Sequence, residues 1–495
     1  METGRAPIQL ADQFKPAQAS SGAIPQRGDL RAYACLAALA GTAALLRLLR
    51  LGAKGLWIDE GVSYLMATAK DRPHDSFWAY QALYHELLRG WVRLGESEFF
   101  LRLFSVIPSI ATIPLIYALA KRLFDRRIGL LSALLLAVHV AHITYSQQAR
   151  SYGLAVFLCT LATYFFVRAV EDAVVSDWAL YVLFSALAVY SHLLACLLIP
   201  AQLLSAAALP VRAIPWRRLL LSAAILAAVA LPLALLIIRG GAGGTEFISA
   251  ASYRQLPAVV TLLAGSVATV PCYLAFWFLG GRLAVRTFSA CGRSPASWRV
   301  ALLLSWCVVP IILLLLVSLV KPALVPRYLL VCVPAAVILA AYGLAGLRLR
   351  SRVFLTAATV LLSLLGLIYY QTRPREDWRG AARYVFAQAQ PGDAVLVLPP
   401  YSSLPFLYYR SRFGGDALPL ENPDDSAPRA AWLERLAHYR RLWVLVYGRA
   451  QSDSATRACL SGLNRDFRLE SSRGFTMVHV QLYARINQGI LNGKD

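Results

Sequence analysis

Charge is scarce in this chain. Only 15% of its 495 residues are Asp, Glu, Lys or Arg, while 58% are hydrophobic and the mean hydropathy is positive. A soluble globular domain carries about 25% charged residues. The deficit fits a polytopic α-helical membrane protein instead. Acidic residues are rarer than basic ones, 27 against 49, for a formal net charge of +22. The basic excess forms no single domain, so nucleic acid is not the expected partner. Many Arg residues flank apolar runs, as expected where basic charge sets membrane topology and meets anionic lipid. The eight cysteines are scattered and no Cys-x-x-Cys pair occurs, so neither a zinc site nor a disulfide framework is suggested. There is no His-x-x-x-His metal pair and no internal repeat. Residues 1–28 are polar and lack the basic-then-apolar order of a signal peptide. Residues 1–30 are read as a cytoplasmic tail.

What is present is a series of long apolar runs. A span needs about 20 mostly apolar residues. Runs at 31–51, 99–120, 128–146, 149–168, 178–193, 195–211, 219–238, 257–280, 300–320, 328–347 and 353–371 supply about eleven transmembrane helices within a module spanning 31–371. Arg47, near the end of the first run, either snorkels or faces protein. Basic clusters at Lys121–Arg127, Arg212–Arg218, Arg282–Arg299 and Arg348–Arg352 follow alternate runs, which places those loops in the cytoplasm. The 52–98 loop, the 239–256 loop, the 321–327 turn and everything after 371 then face outward. In the first of these, 60–70 and 77–95 carry apolar residues at roughly helical spacing, as amphipathic helices at the interface do. The Gly-rich 239–256 loop reads equally as a lid or a connector. After Tyr370, β-type runs at 394–398, 442–447 and 476–483 alternate with helical stretches near 377–389, 428–439 and 453–463. This pattern predicts a small α/β domain, 372–495, outside the membrane.

Several polar constellations fall on the expected outward side. The first is Trp57-Ile58-Asp59-Glu60 with Tyr64. On local sequence, Asp59 reads most simply as the N-cap of a helix beginning near Gly61. The other reading makes one carboxylate a base for an attacking hydroxyl, while its neighbour orients the acceptor or binds a cation. The second is Arg150 with Tyr152. The planar donor fork of Arg suits a phosphate oxygen, though an interfacial Arg beside a belt Tyr is the plainer reading. The third is Lys321, Arg327 and Tyr328. These cations break the positive-inside pattern and ask for a local anion, of which a lipid phosphate is the obvious one. Two charges in a short turn also cost little at an interface. His85 and His192 are each placed to hydrogen-bond a substrate, although a lone His is more often structural.

In this order the motifs resemble the GT-C superfamily of polyprenyl-phosphate-dependent glycosyltransferases. Within it, they are most similar to the bacterial family grouped with protein O-mannosyltransferases and lipid A aminoarabinose transferases. The resemblance also rests on Ser97-Glu98-Phe99-Phe100-Leu101-Arg102-Leu103, Ala149-Arg150-Ser151-Tyr152, Pro326-Arg327-Tyr328, Glu376-Asp377-Trp378 and Pro391-Gly392-Asp393. It implies a GT-C-like fold with Asp59 as base and Glu60 assisting. Arg150 and Arg327 would hold the donor phosphate, joined by Tyr328 and Lys321. Tyr64, His85, Tyr152 and His192 would contact substrate. The implied reaction is inverting transfer of a monosaccharide from a polyprenyl-phosphate carrier to a hydroxyl of a lipid, glycan or protein. It would take place at the outer face of a bacterial cytoplasmic membrane. No cofactor is required, with room left for a divalent metal. The chain departs from the family at His85-Glu86-Leu87, where members often carry His-Pro-Pro, and at Gln148, where many carry an acid. A competing reading, a transporter or flippase of lipid-linked sugar, calls for charged or broken helices near the midplane and for paired repeats. Neither is visible. A scaffold that only recruits partners leaves Asp59-Glu60 unexplained.

Overall fold

The computed structural model describes residues 27–70, 76–239, 255–320, 322–414, 418–423, 429–450 and 453–486. Most of the expected tail 1–30, most of the Gly-rich loop 239–256, and Lys321 lie outside the described residues.

The helices in chain order are α1 (Arg27–Leu48), α2 (Ile58–Thr68), α3 (Ala82–Val92), α4 (Glu98–Leu123), α5 (Arg126–Ala137), α6 (Val140–Ser146), α7 (Tyr152–Asp172), α8 (Val175–Ser191), α9 (Leu198–Ser205), α10 (Trp216–Arg239), α11 (Leu256–Ala264), α12 (Val270–Cys291), α13 (Pro295–Val320), α14 (Val333–Ala345) and α15 (Leu349–Thr372). Eight of the eleven expected spans correspond to helical segments long and apolar enough to cross a membrane among the described residues. The 128–146 run is instead a pair, α5 and α6, bent by 57°. The runs at 178–193 and 195–211 form shorter apolar helical segments, Val175–Ser191 and Leu193–Ala208. The run expected at 257–280 is displaced. Gly265, at φ 97°, ends α11, and a Ser266–Thr269 capping box starts a new helical stretch, so the span runs Val267–Cys291.

The chain divides into two compact units. The first holds the described parts of 1–51, 71–95 and 100–371. At its centre lies α14, buried at every position from Val333 to Leu344. Its outer helices turn apolar side chains outward, among them Leu220, Leu221 and Ile225 of α10 and Val308, Ile312 and Leu316 of α13. An apolar belt of this extent suits lipid rather than water. At one end of the unit, three of the basic clusters converge on the end of α7. Arg122 donates to Glu171 (2.9 Å), Arg299 donates to Glu171 (2.9 Å) and Arg218 donates to the Ala173 carbonyl (2.6 Å). Loops that the positive-inside pattern assigns to one side are therefore hydrogen-bonded together.

The second unit holds 52–70, 96–99 and the described part of 372–495. Its further elements are α16 (Trp378–Gln388), β1 (Asp393–Leu398), α17 (Leu404–Arg412), α18 (Arg429–Leu436), β2 (Arg441–Tyr447), α19 (Ser454–Leu463), β3 (Phe467–Phe475) and β4 (Val478–Arg485). The sheet order is β1-β2-β4-β3, with β1 and β2 parallel and the other pairs antiparallel. Alternation along the strands sends Leu396, Leu398, Leu442 and Val444 to one face, against Trp432, Leu436 and Leu463. On the other face, Trp443 meets Tyr384 of α16 edge-on at 6.0 Å. Asp393, buried at the start of β1, accepts two hydrogen bonds from Arg441 (3.1 and 2.8 Å) and one from Trp443 Nε1 (2.9 Å). The Pro391-Gly392-Asp393 motif is thus a turn whose carboxylate ties the first two strands.

Candidate active-site residues

In the first unit, the loop 147–151 follows the bent pair α5–α6 and precedes α7. Gly153, one residue into α7, faces the Ser105 carbonyl of α4, and a Cβ there would collide with it. That close approach lets Ser105 donate to the Arg150 carbonyl (2.8 Å) and fixes the loop against α4. Arg150 is almost fully buried, and its guanidinium lies 6.0 Å from the centre of the Tyr152 ring. Tyr152 packs at 5.6 Å on His192, and His192 at 5.5 Å on Tyr328. The Arg327 guanidinium lies 5.9 Å from the centre of the Tyr328 ring. The five residues form a continuous row, cation–ring–ring–ring–cation. The charges of both Arg150 and Arg327 act on His192.

Local sequence explains each placement. His192 ends α8 in an extended conformation (φ −157°). Arg327 and Tyr328 sit in a 3-10 segment, Pro326–Cys332, that opens with a Pro, whose fixed φ and missing N–H suit a first helical position. His85 of α3 feels the same field. Burial first, then the Arg150 charge, pushes it down from 6.5 to about 3, against a small opposing effect of the Trp78 backbone. It is neutral at ordinary pH and offers a hydrogen bond, not a charge. Around Arg150, the Ser151 hydroxyl and the Tyr152 hydroxyl are buried without a hydrogen-bond partner among the described residues. Buried hydroxyls of this kind call for a ligand or water. A tetrahedral oxyanion, with several acceptor oxygens, matches two guanidinium forks and two hydroxyls.

In the second unit, Asp59 does not cap its helix. α2 begins at Ile58 rather than near Gly61, and its N-cap residue is Trp57, which offers no side-chain cap. The cap anion comes from Glu376. It accepts from Ile58 N (3.3 Å), Trp378 Nε1 (3.0 Å) and the Tyr447 hydroxyl (2.8 Å). The next residue, Asp377, accepts from Gly380 N and caps α16 (2.8 Å). Glu376-Asp377-Trp378 is therefore a pair of adjoining helix caps. The cap reading of Asp59, favoured on local sequence, fails because another carboxylate fills that role. Asp59 and Glu60 sit in the first turn of α2. Asp59 is half-buried, and Glu60 is fully buried. A Cβ on Gly61 would come within 2.8 Å of the Pro405 nitrogen, so α17 packs directly on this turn. Tyr64 is engaged inside the unit. Its hydroxyl donates to Glu96 (3.0 Å), and its ring meets Tyr408 edge-on at 4.9 Å. Burial and the Glu96 charge push the phenol up to about 12.

Among the described residues, no group of three or more His, Cys, Asp and Glu is arranged to hold a metal ion. Sequence reasoning assigned no role to Ser105 or Ser151. Ser151 stood inside a quoted motif, but nothing local marked Ser105, which acts across 45 residues.

The chain superposes over more than nine-tenths of its length on solved membrane glycosyltransferases. ArnT from Cupriavidus metallidurans in the apo state matches with a TM-score of 0.63 at 14% identity, over 91% of this chain and 98% of that one. The fold is that of the GT-C glycosyltransferases. The same ArnT bound to undecaprenyl phosphate matches at 0.61 and 14% identity, over 93% and 99% of the two chains. Archaeal oligosaccharyltransferase AglB from Archaeoglobus fulgidus, in complex with an inhibitory peptide and a dolichol-phosphate, shares the GT-C fold at 0.58 and 12% identity, over 94% and 76%. Residues 82–238 match the family model described as dolichyl-phosphate-mannose-protein mannosyltransferase. That region of the GT-C fold carries Arg150, Tyr152, His85 and His192. No curated protein matches the chain in sequence.

Proposed function

We propose that this chain is a polyprenyl-phosphate-dependent glycosyltransferase that moves a monosaccharide, with inversion, to a hydroxyl acceptor at the outer face of a bacterial cytoplasmic membrane. The observation that carries the reading is the row Arg150–Tyr152–His192–Tyr328–Arg327. Two cations bracket three rings at the end of the membrane unit opposite the basic clusters. Arg150 is buried and Arg327 half-buried, and the Ser151 and Tyr152 hydroxyls, unpartnered among the described residues, lie beside Arg150, a donor set suited to a phosphate. The lipids bound in the structural neighbours, undecaprenyl phosphate and dolichol-phosphate, support a carrier of the same chemistry.

The donor phosphate needs no strong general acid, because it leaves as a stable anion. Arg150 and Arg327 hold it and lower the energy of the charge that develops as the sugar's C1–O bond breaks. The acceptor hydroxyl must lose its proton as its oxygen bonds to C1. Asp59 takes that proton, and Glu60 orients the turn that carries it. One displacement of this kind inverts the anomeric centre. The products are the glycosylated acceptor and the free polyprenyl phosphate.

The test is mass spectrometry of carrier lipids and envelope polymers from cells lacking the protein. The expected result is accumulation of one polyprenyl-phosphate-linked sugar together with loss of that sugar from one acceptor. Unchanged carrier lipids and polymers would contradict the proposal.

A further inference from the structure

Arg47 was expected either to snorkel or to face protein. It faces protein completely, with no exposed surface. All five guanidinium N–H groups have acceptors. Nε donates to Ser109 Oγ (2.9 Å) and Nη1 to the carbonyls of Ala43 (3.1 Å) and Ala137 (3.0 Å). Nη2 donates to the Leu136 carbonyl (3.2 Å) and to His142 Nδ1 (2.7 Å). Leu136 and Ala137 are the last residues of α5, where the break before α6 interrupts the regular carbonyl pairing and the Leu136 carbonyl takes a long bond from His139 N (3.3 Å). The charge closes a broken helix rather than lining a path. That accounts for a charged, broken helix pair without the transport reading.

The same network reaches the phosphate loop. Gln147 follows α6 directly, three residues before Arg150. Its Nε2 donates to the carbonyls of Arg47 (2.9 Å) and Leu49 (3.0 Å), at the end of α1. Its Oε1 accepts from Gln371 Nε2 of α15 (3.0 Å). The loop is thus held at Gln147 by α1 and α15 and at the Arg150 carbonyl by Ser105 of α4.

We propose that Arg47 and Gln147 are positioning residues that aim Arg150 at the carrier phosphate. Arg47 fixes the break between α5 and α6, and Gln147 passes that fixed geometry to the loop. The proposal rests on the phosphate role assigned to Arg150.

The experiment is a double-mutant cycle read as affinity of the purified full-length protein for undecaprenyl phosphate in lipid nanodiscs. Gln147→Ala should weaken binding on the order of tenfold, since a misaimed guanidinium forfeits about one hydrogen bond to the charged phosphate. Arg47→Lys, with three donors for five acceptors, should act in the same direction. In an Arg150→Ala background, Gln147→Ala should add almost nothing, because its effect runs through Arg150. General loosening of the fold would weaken binding equally in both backgrounds. Wild-type affinity for Gln147→Ala, or full additivity with Arg150→Ala, would overturn the positioning role. Wild-type affinity for Arg150→Ala alone would instead overturn the phosphate reading beneath it. Should Gln147→Ala fold poorly, Gln371→Ala removes one bond to the same amide and is expected to follow the same non-additive pattern.

Discussion

Arg327 and His85 illustrate how differently two polar groups behave in one electrostatic field. Arg327 is a permanent cation, and in the proposed reaction it meets the donor phosphate. A hydrogen bond to a charged group contributes about 1.5–3 kcal/mol. Arg327→Ala should therefore weaken donor-lipid binding roughly tenfold to a hundredfold, with acceptor KM unchanged in steady-state kinetics. An equal effect on both substrates would count against the phosphate role. His85 is kept neutral, with its pKa down to about 3. The unfolded chain protonates it near 6.5 while the fold does not. Its contribution to stability is therefore complete above pH 6.5 and is lost as pH falls toward 3. Thermal melts of wild type and His85→Gln should diverge in slope below pH 6.5, the wild type falling more steeply. Parallel slopes would show that His85 is not held neutral. The members of this row were legible from residue type alone. Arg150, Tyr152, His192, Arg327 and Tyr328 were each set apart as outward-facing cations, aromatics or histidines in otherwise apolar surroundings. Their joining into one row was not legible, because Tyr152 meets His192 and His192 meets Tyr328 only through the packing of helices far apart in the chain.

At the level of elements, the caps decide. Glu376 joins the start of α2 to Trp378 and Tyr447. Losing an N-cap costs typically about 1 kcal/mol, and orphaning the two other donors adds to it. Glu376→Ala is expected to destabilise the second unit by about 2–3 kcal/mol, read as a lowered denaturant midpoint. The sequence could not reveal this, since 318 residues separate cap from helix. The same blindness explains β3 and α17. β3 is almost wholly exposed and lacks apolar alternation, so its strand character comes only from pairing with β4. Their two-residue turn carries Met477 at φ 62° where Gly or Asn is usual, so no turn signal stood there either. The buried strands β1, β2 and β4, with continuous or alternating apolar residues, were legible to within a few residues. Asp393→Ala should cost about 3 kcal/mol, because it leaves the Arg441 charge and the Trp443 N–H without their shared partner. An unaltered unfolding midpoint would contradict that role.

For the whole molecule, the distribution of basic residues is the guide to topology. Among the described residues, eight helical segments are long and apolar enough to cross a membrane, or nine with the bent pair α5–α6 counted as one span. Arg122, Arg218 and Arg299 converge on the end of α7, and the positive-inside pattern predicts that this end is cytoplasmic. A C-terminal alkaline phosphatase fusion is expected to be active and the matching fluorescent-protein fusion dark. The reverse outcome would invert the topology and remove the outer-face chemistry.

The central claim is that one carboxylate, on a helix capped by a different acid, accepts a proton during sugar transfer. The most direct measurement is single-turnover transfer by purified Asp59→Asn protein, with donor-lipid binding measured on the same sample. The account predicts turnover lower by on the order of 10²–10⁴ with donor affinity within about twofold of wild type. Turnover at the wild-type rate, with the donor bound, would contradict it.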